Sequence, residues 1–192
     1  MRFPVINMDQ LSPEQQALVD QISQGPRGGV RGPFLPLLHH PELAMCVQAV
    51  GEHLRYRASI DQSLIELAIL VTAKRWNCQY EWFAHSRIAH TTTDLPHDVI
   101  EAVRQGKSPS SASAHQMLVY ELASTLHADG RLSDDLFDSA VQAFGYPGVL
   151  DLISTCGYYT TIGMVLNVAQ IPLPDGADPQ YCLDRPAASI GT

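Results

Sequence analysis

Asn77-Cys78-Gln79-Tyr80-Glu81-Trp82-Phe83-Ala84-His85, with Glu66 twelve residues before Cys78, is the stretch that decides how this chain is read. Nothing in it alternates with period two, so it reads as helix. At about 100° per residue, Cys78, Glu81, Trp82 and His85 fall within about 100° of arc. A thiol, a carboxylate and an imidazole are thereby gathered on one face of an otherwise apolar segment. Tyr80, Trp82, Phe83 and Ala84 surround the Glu81/His85 pair, so the pair is expected to be at least partly buried. In that setting the imidazole can hold one ring nitrogen on an acid and move a proton with the other.

Outward from this stretch, the sequence keeps reading as helix. Residues 62–76 follow Asp61, a good N-cap, and are apolar over most of the circumference, which predicts a central helix. Glu66 is the only acid inside it; buried, it becomes a candidate proton carrier. Asn77 is expected to cap the next helix, which starts at Cys78 and runs to about residue 90. Cys78 then sits in a first turn, where free N–H groups and the helix dipole favour a thiolate; the alternative is an inert buried thiol.

Upstream, Ser12-Pro13-Glu14-Gln15 is a capping box that opens a helix to about residue 24. The segment 25–33, with Arg27, Gly28, Gly29, Arg31 and Gly32, is a loop that reads either as a connector or as a binding loop carrying two arginines. A helix over 41–57 shows an apolar stripe at Leu43, Val47, Val50 and Leu54. Downstream, helices are expected over 97–105, 114–126, 133–145 and 147–170. The region from Pro172 carries four of the chain's 13 prolines and is expected to wrap over a neighbouring surface or to be mobile. The reading is all-α: one helical bundle domain of about eight helices over 1–171, then a Pro-rich extended tail over 172–192.

Composition narrows the function classes. Hydrophobic residues make up 45% and charged residues 17% of 192, as in a globular protein. The formal charge is −8 and no run of Lys or Arg occurs, so neither nucleic acid nor an anionic membrane is expected as a partner. The N-terminus lacks a signal-peptide pattern, and the apolar region 149–171 is interrupted by Asp151, Asn167 and Gln170. The four cysteines form no Cys-x-x-Cys, so reduced thiols and a cytoplasmic location are expected. No His-x-x-x-His or Glu-x-x-His spacing is present, so no metal is expected, and no strand precedes the glycine loop as a nucleotide site would require.

Glu66-x(11)-Cys78-x(2)-Glu81-x(3)-His85 resembles the signature of the carboxymuconolactone decarboxylase/alkylhydroperoxidase-D (AhpD-like) superfamily. Gly32-Pro33-Phe34 and Leu37-Leu38-His39-His40-Pro41-Glu42 resemble the segment preceding that core in its decarboxylase-like branch. The similarity spans roughly residues 30–125. It implies an AhpD-like all-helical fold, no cofactor, a small-molecule substrate and a homo-oligomer, as dimer, trimer or hexamer. It also implies roles: His85 as the relay imidazole, Glu66 as the distal carboxylate and Cys78 as the first cysteine. The departure is Glu81, which stands where the peroxidase branch has its second cysteine. A dithiol cycle needs two thiols within bridging reach. A carboxylate there favours proton transfer instead, such as decarboxylation or isomerisation of a small carboxylated lactone or ring in aromatic catabolism. Arg75 and Arg31 are the expected cations for a substrate acid, and Tyr80 and Trp82 further lining residues. A peroxiredoxin-type activity through Cys78, or a non-catalytic ligand-binding protein, are the alternatives.

Overall fold

The computed structural model of the chain describes residues 1–183; the rest of the expected tail, 184–192, lies outside the described residues. Among those described there are eight α-helices, one 3-10 turn at Pro179–Tyr181 and no strand. The helices are α1 (Pro13–Gln24), α2 (Phe34–Leu37), α3 (Pro41–Tyr56), α4 (Gln62–Arg75), α5 (Gln79–Thr92), α6 (His97–Arg104), α7 (Ala114–Asp129) and α8 (Asp134–Ala169).

Helix α4 is the axis of the fold. Every residue from Ser63 to Ala73 is buried, and α4 packs against α5, α7 and α8. Its all-round apolar surface allows this, since no face has to be given to water. The main core gathers Leu67 and Leu70 of α4 with Trp82, Val99, Leu122 and Leu152 from four helices around it. A second cluster joins Leu18 and Ile22 of α1 to Phe34, Leu37 and Ala44.

Helix starts follow the local chemistry of the sequence. Ser12 forms the predicted capping box with Gln15, and Asp61 accepts from the Ser63 amide at 2.7 Å. The long α8 is two helical segments divided at Gly145, whose φ of 63° and ψ of 172° suit only glycine, with Pro147 opening the second. Helix α8 is long and apolar enough to cross a membrane by composition, yet half of its most apolar window is buried within the fold.

Two expectations are corrected. Asn77 does not cap α5. It adopts φ +47°, its amide bonds to Lys74 O at 3.1 Å, and the Cys78 amide bonds to Ala73 O at 2.9 Å. This is a Schellman closure of α4 with asparagine in the left-handed position, and it leaves Cys78 as the N-cap of α5. The stripe of α3 is also rotated: Leu43 and Val50 are exposed, whereas Ala44, Gln48, Gly51 and Leu54 face inward. The inner face of α3 is small and polar where Gln48 accepts from Arg27 and Gly51 meets Tyr158, contacts that hydropathy periodicity cannot register. Of the two readings of the tail, wrapping over a neighbouring surface describes it up to Leu183. Gln79 exchanges two hydrogen bonds with the backbone of Leu183, at 3.2 and 3.3 Å, and the Leu183 side chain joins the main core.

Candidate active site

The tight turn at Asn77 sets α5 against α4 so that Glu66 and His85 meet. His85 Nδ1 lies 2.7 Å from Glu66 Oε2, with both side chains almost fully buried. Gln62, one turn before Glu66, donates to its other oxygen at 3.1 Å. On the far side of the ring, His85 Nε2 is 3.3 Å from Glu81 Oε2, as the i,i+4 spacing on α5 requires. That contact is within ion-pair range but is not an aligned hydrogen bond, so Glu81 Oε2 is buried with acceptor capacity unspent. The result is a line: Gln62, Glu66, His85, Glu81.

Burial alone would discourage protonation of His85. The charge and hydrogen bond of Glu66, supported by Glu81, outweigh it and push the imidazole up to about 9. His85 is therefore an imidazolium at neutral pH. Tyr159 packs edge-on to the His85 ring at 4.9 Å, and burial holds its phenol well above the usual range, so the hydroxyl stays a neutral donor.

This line opens at its Glu81/His85 end into a cavity of about 430 Å³, a size that admits a small-molecule ligand. Four elements form its walls. The glycine loop contributes Arg27, Gly29, Arg31 and Gly32, α3 contributes Arg55, α5 contributes Tyr80, Glu81, His85 and Arg87, and α8 contributes Tyr158 and Tyr159. The tail closes one side with Pro174–Ala177, so the expected wrapping segment is part of the cavity wall. Of the two readings of the segment 25–33, the structure shows only that it forms one wall of this cavity. Gly32, at φ +58°, lies so close to Tyr80 that a Cβ would sit 2.7 Å from the ring.

The structure brings together Glu66, Glu81, His85, Tyr80 and Arg31, and it sets the other three predicted residues apart. Cys78 is fully buried among Ile162 and Leu166 and does not reach the cavity wall. The expected thiolate is not favoured there. Burial pushes the thiol up to about 12, and the Glu81 and Tyr80 amides at the start of α5 only partly counter it. Trp82, next to Glu81, turns under α5 into the main core. Arg75 is exposed and lines a separate hollow with Lys74, Tyr120 and His127. It lies nine residues after Glu66, which is about half a turn around the helix, so both cannot face one cavity. Sequence reasoning missed Arg27, Arg55, Arg87, Tyr158 and Tyr159, which come from four elements and share no spacing.

No protein-family model matches the sequence, and no curated protein does. Solved structures do. An AhpD-core alkylhydroperoxidase, described as an uncharacterised peroxidase-related protein from Ralstonia eutropha JMP134, superposes with a TM-score of 0.74 at 17% identity, covering 91% of this chain and 92% of that one. The debrominase Bmp8 without ligand gives 0.70 at 12% identity, over 92% of this chain and 94% of that one. Its cysteine-to-alanine variant in complex with 2,3,4-tribromopyrrole gives 0.69 at 11% identity, over 94% of each chain. The chain has the AhpD-like all-α fold, as the resemblance in its sequence implied.

Proposed function

We propose that this chain is an enzyme of cofactor-independent acid–base chemistry, decarboxylating or isomerising a small carboxylated lactone or ring. The observation that carries the reading is the Glu66–His85–Glu81 line, whose His85/Glu81 end borders the cavity while the Cys78 thiol does not. Decarboxylation leaves an electron pair on carbon that must receive a proton. His85, protonated and oriented by Glu66, is the donor; Glu81 accepts or passes on the proton in an isomerisation. Tyr159 offers a neutral O–H to an oxyanion formed on the way. Glu66 acts through His85 and is a positioning residue. The free cysteines accord with a cytoplasmic setting.

A panel of lactone and aromatic acids, assayed for CO₂ release and for rearranged product, tests the proposal. Turnover by the native chain that survives His85→Ala would overturn the assignment. The competing reading is thiol peroxidase chemistry through Cys78, favoured by the peroxidase-related protein of the same fold. The burial and raised pKa of Cys78 weigh against it.

We further propose that the chain self-associates through α8. Tyr146, Leu150, Ile153, Met164 and Val168 recur at helical spacing and are all exposed, an apolar stripe of the kind that a second copy covers.

A further inference from the structure

An acidic chain has concentrated its cations in one place. Four of its 12 Lys and Arg residues, Arg27, Arg31, Arg55 and Arg87, line the single 430 Å³ cavity, although the chain carries a net charge of −8. Two of them are set deep. Arg55 Nε and Arg27 Nη2 are buried with donor capacity unspent, and among the described residues no carboxylate lies within ion-pair distance of either guanidinium; Arg27 reaches only the neutral Gln48 and Tyr158, and the charges of Glu66 and Glu81 act on Arg55 at longer range. Buried cations without a close counter-ion are costly, and a ligand carboxylate would complete the pairing.

Both guanidiniums are positioned rather than loose. Arg27 stacks over Phe34 at 5.0 Å and its Nε donates to Gln48 Oε1 at 2.5 Å. Arg55 lies over the Tyr56 ring at 5.1 Å. Gln48, Gly51 and Arg55 are spaced i, i+3 and i+7, so they share the inner face of α3. Gly51 is the notch in that face: a Cβ there would collide with the Tyr158 hydroxyl and the Arg27 guanidinium. This explains why the inner face of α3 carries glutamine, glycine and arginine in place of a leucine stripe.

We propose that Arg27 and Arg55, held by Gln48, Gly51 and Phe34, form the subsite that grips a carboxylate of the ligand, while Arg31 and Arg87 at the exposed rim receive a second acidic group. The inference deepens the acid–base reading of the same cavity and rests on it for the identity of the reacting end. Charge supports it. With His85 protonated there are five cations, Arg27, Arg31, Arg55, Arg87 and His85, against three anions, Glu66, Glu81 and Asp175. The surplus of two matches a dianionic acid. A planar guanidinium pair also suits two carboxylate oxygens better than a lone ammonium would.

Isothermal titration of the full chain with phthalate, benzoate and benzamide tests this without any turnover. Phthalate is expected to bind tightest and benzoate at least about tenfold better than benzamide. Raising the salt should weaken phthalate most. Arg27→Met and Arg55→Met should each weaken both acids by about tenfold or more and leave benzamide alone, whereas Arg55→Lys recovers part of the loss and Arg131→Met changes nothing. Unchanged thermal unfolding of the variants separates lost contacts from lost folding, and the salt response of the native chain reports independently of any variant. Equal binding of benzamide and benzoate, no binding of either acid, or acid binding indifferent to Arg27 and Arg55 would overturn the proposal. His85→Gln should still bind phthalate. If it does and no acid is ever turned over, the acid–base reading fails while the subsite stands.

Discussion

In the proposed acid–base chemistry His85 is the central residue, because two carboxylates bracket its ring and one of them borders the cavity. With its folded value raised to about 9, its contribution to stability is complete below its unfolded value near 6.5 and is lost as pH rises through about 9. Denaturant unfolding of the native chain should therefore show stability falling over that alkaline window, and the loss should be smaller in Glu66→Gln. Following the imidazole by NMR, Glu66→Gln should lower the His85 titration midpoint; an unmoved midpoint would mean that Glu66 does not set its charge. If His85 is the acid, turnover holds up to about pH 9 and declines above it. Cys78 behaves in the opposite way to an activated thiol. At neutral pH, alkylation followed by mass mapping should label exposed Cys46 and leave Cys78 untouched. Rapid labelling of Cys78 would contradict the packing described.

At the scale of elements, the closure between α4 and α5 sets the distance from Glu66 to His85. Asn77 holds φ +47°, a conformation that asparagine and glycine tolerate and β-branched residues do not. Asn77→Gly should leave stability nearly unchanged, whereas Asn77→Val should cost about 1–3 kcal/mol in denaturant unfolding and lower turnover by misaligning His85. Equal stability of the two variants would remove the turn from the account. Helix ends of this kind were legible in the sequence wherever a side chain makes the cap, as at Ser12 and Asp61. Asn77 misled because asparagine serves both at an N-cap and in the left-handed position, and only the backbone path distinguishes the two. Helix α3 misled for a different reason. Its buried side sets Gln48 and Gly51 against Arg27 and Tyr158, so Leu43 and Val50 lie outward and the hydropathy stripe points to the wrong face.

For the whole molecule, the all-α architecture followed from helical periodicity and the Glu81–His85 pair from its i,i+4 spacing on one helix, whereas the joining of Glu66 to His85 was implied by the family resemblance. The arginines did not follow. Residues 27, 31, 55 and 87 meet only after a loop, α3 and α5 have been packed around one hollow, so a chain without any basic run still assembles a basic cavity. Arg75 attracted notice through proximity in sequence to Cys78 and lies on the other side of α4. The outer surface makes its own prediction. Leu150→Glu with Met164→Glu should shift the chain toward monomer in light scattering, with helicity unchanged; a native chain already monomeric at high concentration would contradict the proposed role of the α8 stripe.

The acid–base proposal assigns proton chemistry, not thiol chemistry, to this cavity. Its most direct test is turnover of lactone and aromatic acids in D₂O, with deuterium at carbon read by NMR, for the native chain, Cys78→Ser and His85→Gln in parallel. The account predicts deuterated product from the native chain, activity within about tenfold of native in Cys78→Ser, and a loss of about 10²–10⁴-fold in His85→Gln. Peroxide consumption that disappears in Cys78→Ser, with no acid deuterated by any of the three, would contradict it.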